Sequence, residues 1–137
     1  MAKGEQHVYE HGLHAGDVLL WPVNEQQVKK LFTVVGATHA ETALLRLVND
    51  VNAIPPQLSS MYEIRYRLKW RIGNAPTILF ADLSKLIVKK SEDIINAINK
   101  HADTIAGALS ALDLETMLQR LQEEKTISRE MKNKFLP

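Results

Sequence analysis

Four cations stand at alternate or neighbouring places in one short stretch, Arg65, Arg67, Lys69 and Arg71, within Met61 to Ile72, MYEIRYRLKWRI. Successive side chains on a strand point to opposite faces, so these cations form one charged ribbon with Glu63. Ile64, Tyr66, Leu68, Trp70 and Ile72 form an apolar ribbon on the other parity. Cations spaced roughly 6.6 Å apart along one strand face can meet successive phosphates or a row of carboxylates. A nucleic acid held there would be gripped through its backbone, with strong salt dependence. Tyr62 could add a stacking surface. The competing expectation is structural: a sheet with one face on a core needs a polar outer face, and Lys and Arg there discourage edge aggregation. The structural expectation is the one favoured.

Other chemistry is sparse. His7, His11 and His14 are spaced by four and three residues, as zinc ligands on a helix would be, but Gly12 and Gly16 argue against a helix. No metal site is expected. The sequence contains no HExxH, GxSxG, Walker or GxGxxG motif. No catalytic residue and no cofactor is assigned, and a non-enzymatic protein is expected. The chain has no cysteine, which removes disulfides, thiol nucleophiles and thiolate metal sites.

The elements that would position the basic ribbon follow from pattern. Charge is unevenly spread. Residues 61–90 carry seven Lys/Arg against two Asp/Glu, whereas 1–60 and 91–137 each come to −2, within a net charge of +1. The 137 residues, 45% hydrophobic, suit one domain or a small domain with a helical appendage. A polar N-terminal stretch and the lack of a long apolar run point to a cytoplasmic protein with no membrane partner.

The expected organisation is a flexible arm over 1–16, an α+β core over 17–90 and a helical segment over 91–137. Val18 to Val23 reads as an edge strand or extended anchor because of Pro22. Asn24 to Val35 reads as a helix striped by Val28, Leu31, Phe32 and Val35. Thr38 to Val51 reads as a second helix, with Thr38 and Glu41 as a capping box. Thr77 to Ala81 would return as the hairpin partner of 61–72, followed by a helical turn or linker to Lys90. Ser91 would cap a helix running through Ile94, Ile98, Ile105 and Leu109. Asp113 and Ser128 would cap two more.

The expected fold is therefore α+β: a small antiparallel hairpin or sheet packed with about five helices, the last three forming an antiparallel cluster.

The stretch from Asp93 to Phe135, DIINAINKHADTIAGALSALDLETMLQRLQEEKTISREMKNKF, resembles the first three helices of a death-fold module of the caspase-recruitment type. The shared features are the mixed-charge run Asn99 to Ile105, the Leu-rich helix of Leu114, Met117, Leu118 and Leu121, and the polar turn into Ile127-Ser128-Arg129-Glu130. The resemblance covers about a third of the chain, and that fold has six helices. The three seen here are either a fragment or pack on the upstream domain. The resemblance implies homotypic assembly through charged helix surfaces, with no catalytic residues. Lys100, Asp103, Glu115, Arg120, Glu123 and Arg129 are the corresponding interaction candidates. The expected function is a protein-interaction module, an adaptor or scaffold whose partner could be a second copy. The alternative is a small nucleic-acid-binding protein using the basic strand.

Overall fold

The structure is a computed structural model that describes residues 13–22, 29–48, 61–65, 78–101 and 104–137. Six strands come first: β1 (Asp17–Pro22), β2 (Lys29–Ala37), β3 (Glu41–Val48), β4 (Met61–Arg65), β5 (Ile78–Asp82) and β6 (Ile87–Lys90). They are followed by α1 (Ser91–Lys100), β7 (Ile105–Ala108), α2 (Ala111–Glu123) and α3 (Arg129–Phe135). The strands form one sheet in the order β4-β5-β3-β2-β1-β7, with β6 also on β3, and every pairing is antiparallel.

Both faces of the sheet are covered. Val18, Leu45, Leu47 and Leu79 pack with Met117 and Leu121 of α2 and Phe135 of α3. Leu19, Phe32, Val34 and Leu44 pack with Ile94 of α1. Each of these fully buried side chains contributes about 1.5–3 kcal/mol of apolar transfer free energy.

The expectation of about five helices fails here: the described residues hold three, against a large sheet. Of the two helices expected over 24–35 and 38–51, the described residues 29–35 belong to strand β2 and 41–48 are strand β3, with 38–40 in the turn between the two strands. The reason lies in burial. A strand covered on both faces has no apolar–polar alternation, so its period of two is erased. The Leu31, Phe32 and Val35 stripe then mimics a helical one. Phe32, Thr33, Val34 and Val35 are β-formers, and that preference prevails.

The supposed capping box at Thr38 is a hairpin turn. Glu41 N–H donates to Thr38 Oγ1 at 3.1 Å, and Thr38 N–H donates to the Glu41 carbonyl at 2.8 Å. The same side-chain–backbone bond serves helix starts and turns alike.

β1 is interior, between β2 and β7, and not an edge strand or anchor. Pro22 is tolerated because it is the last residue of β1, opposite Lys29. The hairpin of 61–65 with 78–82 is present, Tyr62 opposite Ala81 and Ile64 opposite Leu79, but it sits at one end of the sheet rather than at its centre. Residues 66–77, which complete the expected hairpin, lie outside the described residues.

The stretch expected as a turn or linker before Lys90 contains a further strand. β5 and β6 share one edge of β3: Ala81 pairs with Leu47 and Lys90 with Glu41. Three more residues lie on the β5–β6 side than on the β3 side. They form a break in which Asp82 Oδ1 accepts from the Ser84 N–H at 2.9 Å and its hydroxyl at 2.6 Å.

The C-terminal three-helix cluster does not form. α1 ends at Lys100, Ile105–Ala108 becomes β7 on β1, and the chain passes to the other face before α2. Gly107 and β-branched Ile105 weaken a helix there. Ser91 does not cap α1 through its side chain. Its hydroxyl shares a 2.7 Å bond with Thr42 Oγ1 in the core, and Lys90 holds the cap position. Ser110, not Asp113, caps α2, accepting from the Asp113 N–H at 3.1 Å. Ser128 caps α3, accepting from the Met131 N–H at 3.2 Å.

α3 docks on the start of β3 and the bulge of β2. The β2–β3 register moves by one residue between Val34 and Gly36. A Cβ at Gly36 would lie 1.9 Å from the Phe135 carbonyl oxygen. Lys134 closes the contact with an ion pair to Glu41.

Candidate functional site

The two ends of the sheet come together at the start of α2. Five interstrand steps of about 4.8 Å separate β4 from β7, roughly 24 Å along a flat sheet. Yet the Tyr62 hydroxyl on β4 donates to Asp113 Oδ1 at 2.7 Å, and Asp113 is only five residues past β7. The Arg120 guanidinium, two turns further along α2, lies 5.8 Å from the centre of the Tyr62 ring. α2 thus runs beside Tyr62 while starting from β7, so this helix links the two ends of the sheet.

Asp113 binds in two directions. Its Oδ2 accepts from the Ser110 hydroxyl at 3.1 Å, while its backbone N–H returns to Ser110 Oγ. Burial pushes the Tyr62 hydroxyl above its ordinary pKa, helped by the hydrogen bond to Asp113 and its negative charge. The phenol therefore stays protonated and donating at neutral pH.

Two large apolar side chains are exposed among the described residues: Ile105 on β7, 41% exposed, and Leu112 on the first turn of α2, 74% exposed. β7 ends the sheet and, among the described residues, pairs with β1 alone. Residues 104–110, TIAGALS, hold no charge and no proline. Natural edge strands usually carry one or the other.

A second polar cluster lies where β1 begins its pairing with β7. In the turn before β1, His14 N–H donates to Asp17 Oδ2 at 2.8 Å, with His14 Nδ1 at 3.8 Å from the same oxygen. Gly16, at φ 91°, makes that turn and accepts from the Leu109 N–H at 2.8 Å. Burial raises the Asp17 carboxyl above its ordinary range, against the opposing His14 N–H and His14 charge.

The sequence candidates are scattered across this frame. Lys100 is exposed at the end of α1, on one side of the sheet. Glu115, Arg120 and Glu123 belong to α2 and Arg129 to α3, on the other side. Glu115, Glu123 and Arg129 are exposed, while Arg120 is partly buried over Tyr62. Asp103 lies outside the described residues. Arg65 ends β4 opposite Ile78, and Arg67, Lys69 and Arg71 lie outside the described residues. Tyr62, considered for base stacking, is engaged by α2 instead. His7 and His11 also lie outside them, and His14 is tied to Asp17. No group of three metal-ligating side chains occurs among the described residues, and none of their helices is long and apolar enough to cross a membrane.

The helical stripe expected through Ile105 gives no sign of its exposure on β7, and Leu112 has no role in the organisation expected from sequence. The available signal is that Leu112 falls off the Leu114, Met117, Leu118, Leu121 stripe, since a large apolar residue off the buried stripe faces outward.

The chain matches no family model, no curated protein and no solved structure.

Proposed function

We propose that this chain is a non-enzymatic protein-interaction module, an adaptor or scaffold, whose partner surface is the outer edge of β7 with the first turn of α2. The observation that carries it is the pairing of an uncharged terminal strand with two outward apolar side chains, Ile105 and Leu112. An unpaired strand edge offers a row of backbone donors and acceptors to an added strand, and flanking apolar side chains give such a strand something to grip. Lys100 and Glu115, both exposed, flank this edge in sequence and belong to its polar rim. The partner is another protein or a second copy of this chain. A cytoplasmic location is part of the same reading, and the absence of cysteine is compatible with it.

The test is selection of displayed extended peptides on the wild-type protein, followed by binding measurements on Ile105→Lys and Leu112→Lys. Both side chains are exposed, so each variant should keep its fold with a stability change of about 0.5 kcal/mol or less. Selected peptides should bind wild type and lose at least ten-fold in affinity for both variants. Peptides that bind the variants equally well would move the surface elsewhere. Nucleic acid co-eluting at low salt and leaving at high salt, with no peptide selected, would replace this reading with the basic strand.

A further inference from the structure

We infer that the His14–Asp17 turn is a pH-sensitive clasp on the β1–β7 junction, loosening the C-terminal end of β7 as the Asp17 carboxyl loses its proton. The geometry places the group at the joint. Asp17 pairs with Ala108, and the adjacent Val18 pairs with Gly107 across an irregular register. Gly16, one residue earlier, holds the Leu109 N–H.

The carboxylate is poorly provided for. Asp17 is 8% exposed, and among the described residues its carboxylate accepts one hydrogen bond, from the His14 N–H at 2.8 Å. A buried carboxylate takes two or three donors to be held comfortably in its charged form. Among the described residues, the elements packed around it bring no countercharge. β2 contributes Thr33, whose hydroxyl goes to the Asp17 carbonyl at 3.2 Å and not to the carboxylate. β7 is Ile105 to Ala108, without a charge, and the α2 side chain nearest Gly16 is Leu114, apolar. Among the described residues, His14 is the one charged or titratable neighbour that acts on it.

The sign follows from burial. A carboxyl whose folded pKa is raised favours the folded joint fully below its ordinary value of 3.8. That contribution is lost as pH rises through the folded value. The clasp is therefore tight in acid and looser towards neutral pH. The consequence for partner binding rests on the reading of β7 as the partner strand. The clasp itself does not, and its test uses the protein alone.

The experiment is amide hydrogen exchange across pH 3.5 to 7, corrected for intrinsic rates, on the full chain. Protection of the Leu109 amide should fall with rising pH, by up to about ten-fold for each unit crossed between 3.8 and the folded value. The Leu44 and Leu45 amides in β3 should keep theirs. Asp17→Asn should hold Leu109 protection level across the range, and Asp17→Ser serves the same purpose should the Asn variant misfold. A fall shared equally by β3 would mean only a global stability change and would overturn the clasp. So would a wild-type Leu109 profile without pH dependence, or one that persists in the variants.

Discussion

The Tyr62 hydroxyl and the Asp113 carboxylate lie 2.7 Å apart, joining the last strand at one end of the sheet to the helix that follows the strand at the other end. Asp113 also receives the Ser110 hydroxyl, so one carboxylate both completes a helix cap and ties the two ends of the sheet through α2. Tyr62→Phe should cost about 1 kcal/mol, the net worth of a part-buried hydrogen bond to a charged acceptor. Asp113→Ala should cost more, since it also strips the cap of its second bond. A double-mutant cycle by urea denaturation should give a coupling of about 1 kcal/mol between the two. Strict additivity would mean that the bond contributes nothing to the link between β4 and α2.

The same phenol sets an alkaline limit. Its pKa is raised above 10.0 by burial and by Asp113. Its contribution is therefore complete below 10.0 and is lost as pH rises through the higher folded value. Denaturation midpoints measured from pH 9 upward should fall faster in wild type than in Tyr62→Phe. Parallel curves would refute the assignment.

Gly36→Ala should be among the more damaging single-methyl changes in the chain. The added carbon would meet the Phe135 carbonyl oxygen at 1.9 Å, and that oxygen is backbone, unable to rotate away. α3 must shift, and with it the buried Phe135 and Leu136. A loss of roughly 2–4 kcal/mol is expected, with faster exchange in α3 than in β3. A variant as stable as wild type would show that α3 does not press on the bulge.

Arg46 runs the other way. Its Nε is buried without a hydrogen-bond partner, and an unsatisfied buried donor costs about 1–3 kcal/mol. Arg46→Met keeps much of the packing stem and removes the donor. The variant should be as stable as wild type or about 1 kcal/mol more stable by chemical denaturation. A clear loss would mean that the guanidinium earns its place through its outer nitrogens.

What could be read from the sequence was local. The helix cap at Ser128, the Leu114–Leu121 stripe and the pairing of 61–65 with the strand near Leu79 are set by neighbours within a few residues or by simple alternation. These the chain spells out. The absence of familiar catalytic and metal-binding motifs and of cysteine is likewise plain from the letters.

What only the tertiary structure decided was everything resting on which faces are covered. Leu31, Phe32 and Val35 satisfy a helical period and a doubly buried strand equally well, and the choice falls to β1 and β3 on either side. Thr38 and Glu41 write the same side-chain bond for a helix start and for a hairpin turn. Ile105 continues the apolar stripe of α1 on paper, but pairing with Leu19 draws it into the sheet, parts α1 from α2 and leaves Ile105 exposed on the terminal strand. Strand pairing joins residues far apart in sequence, so its free energy belongs to no single segment, and the surface it creates could be seen only once the strands had met.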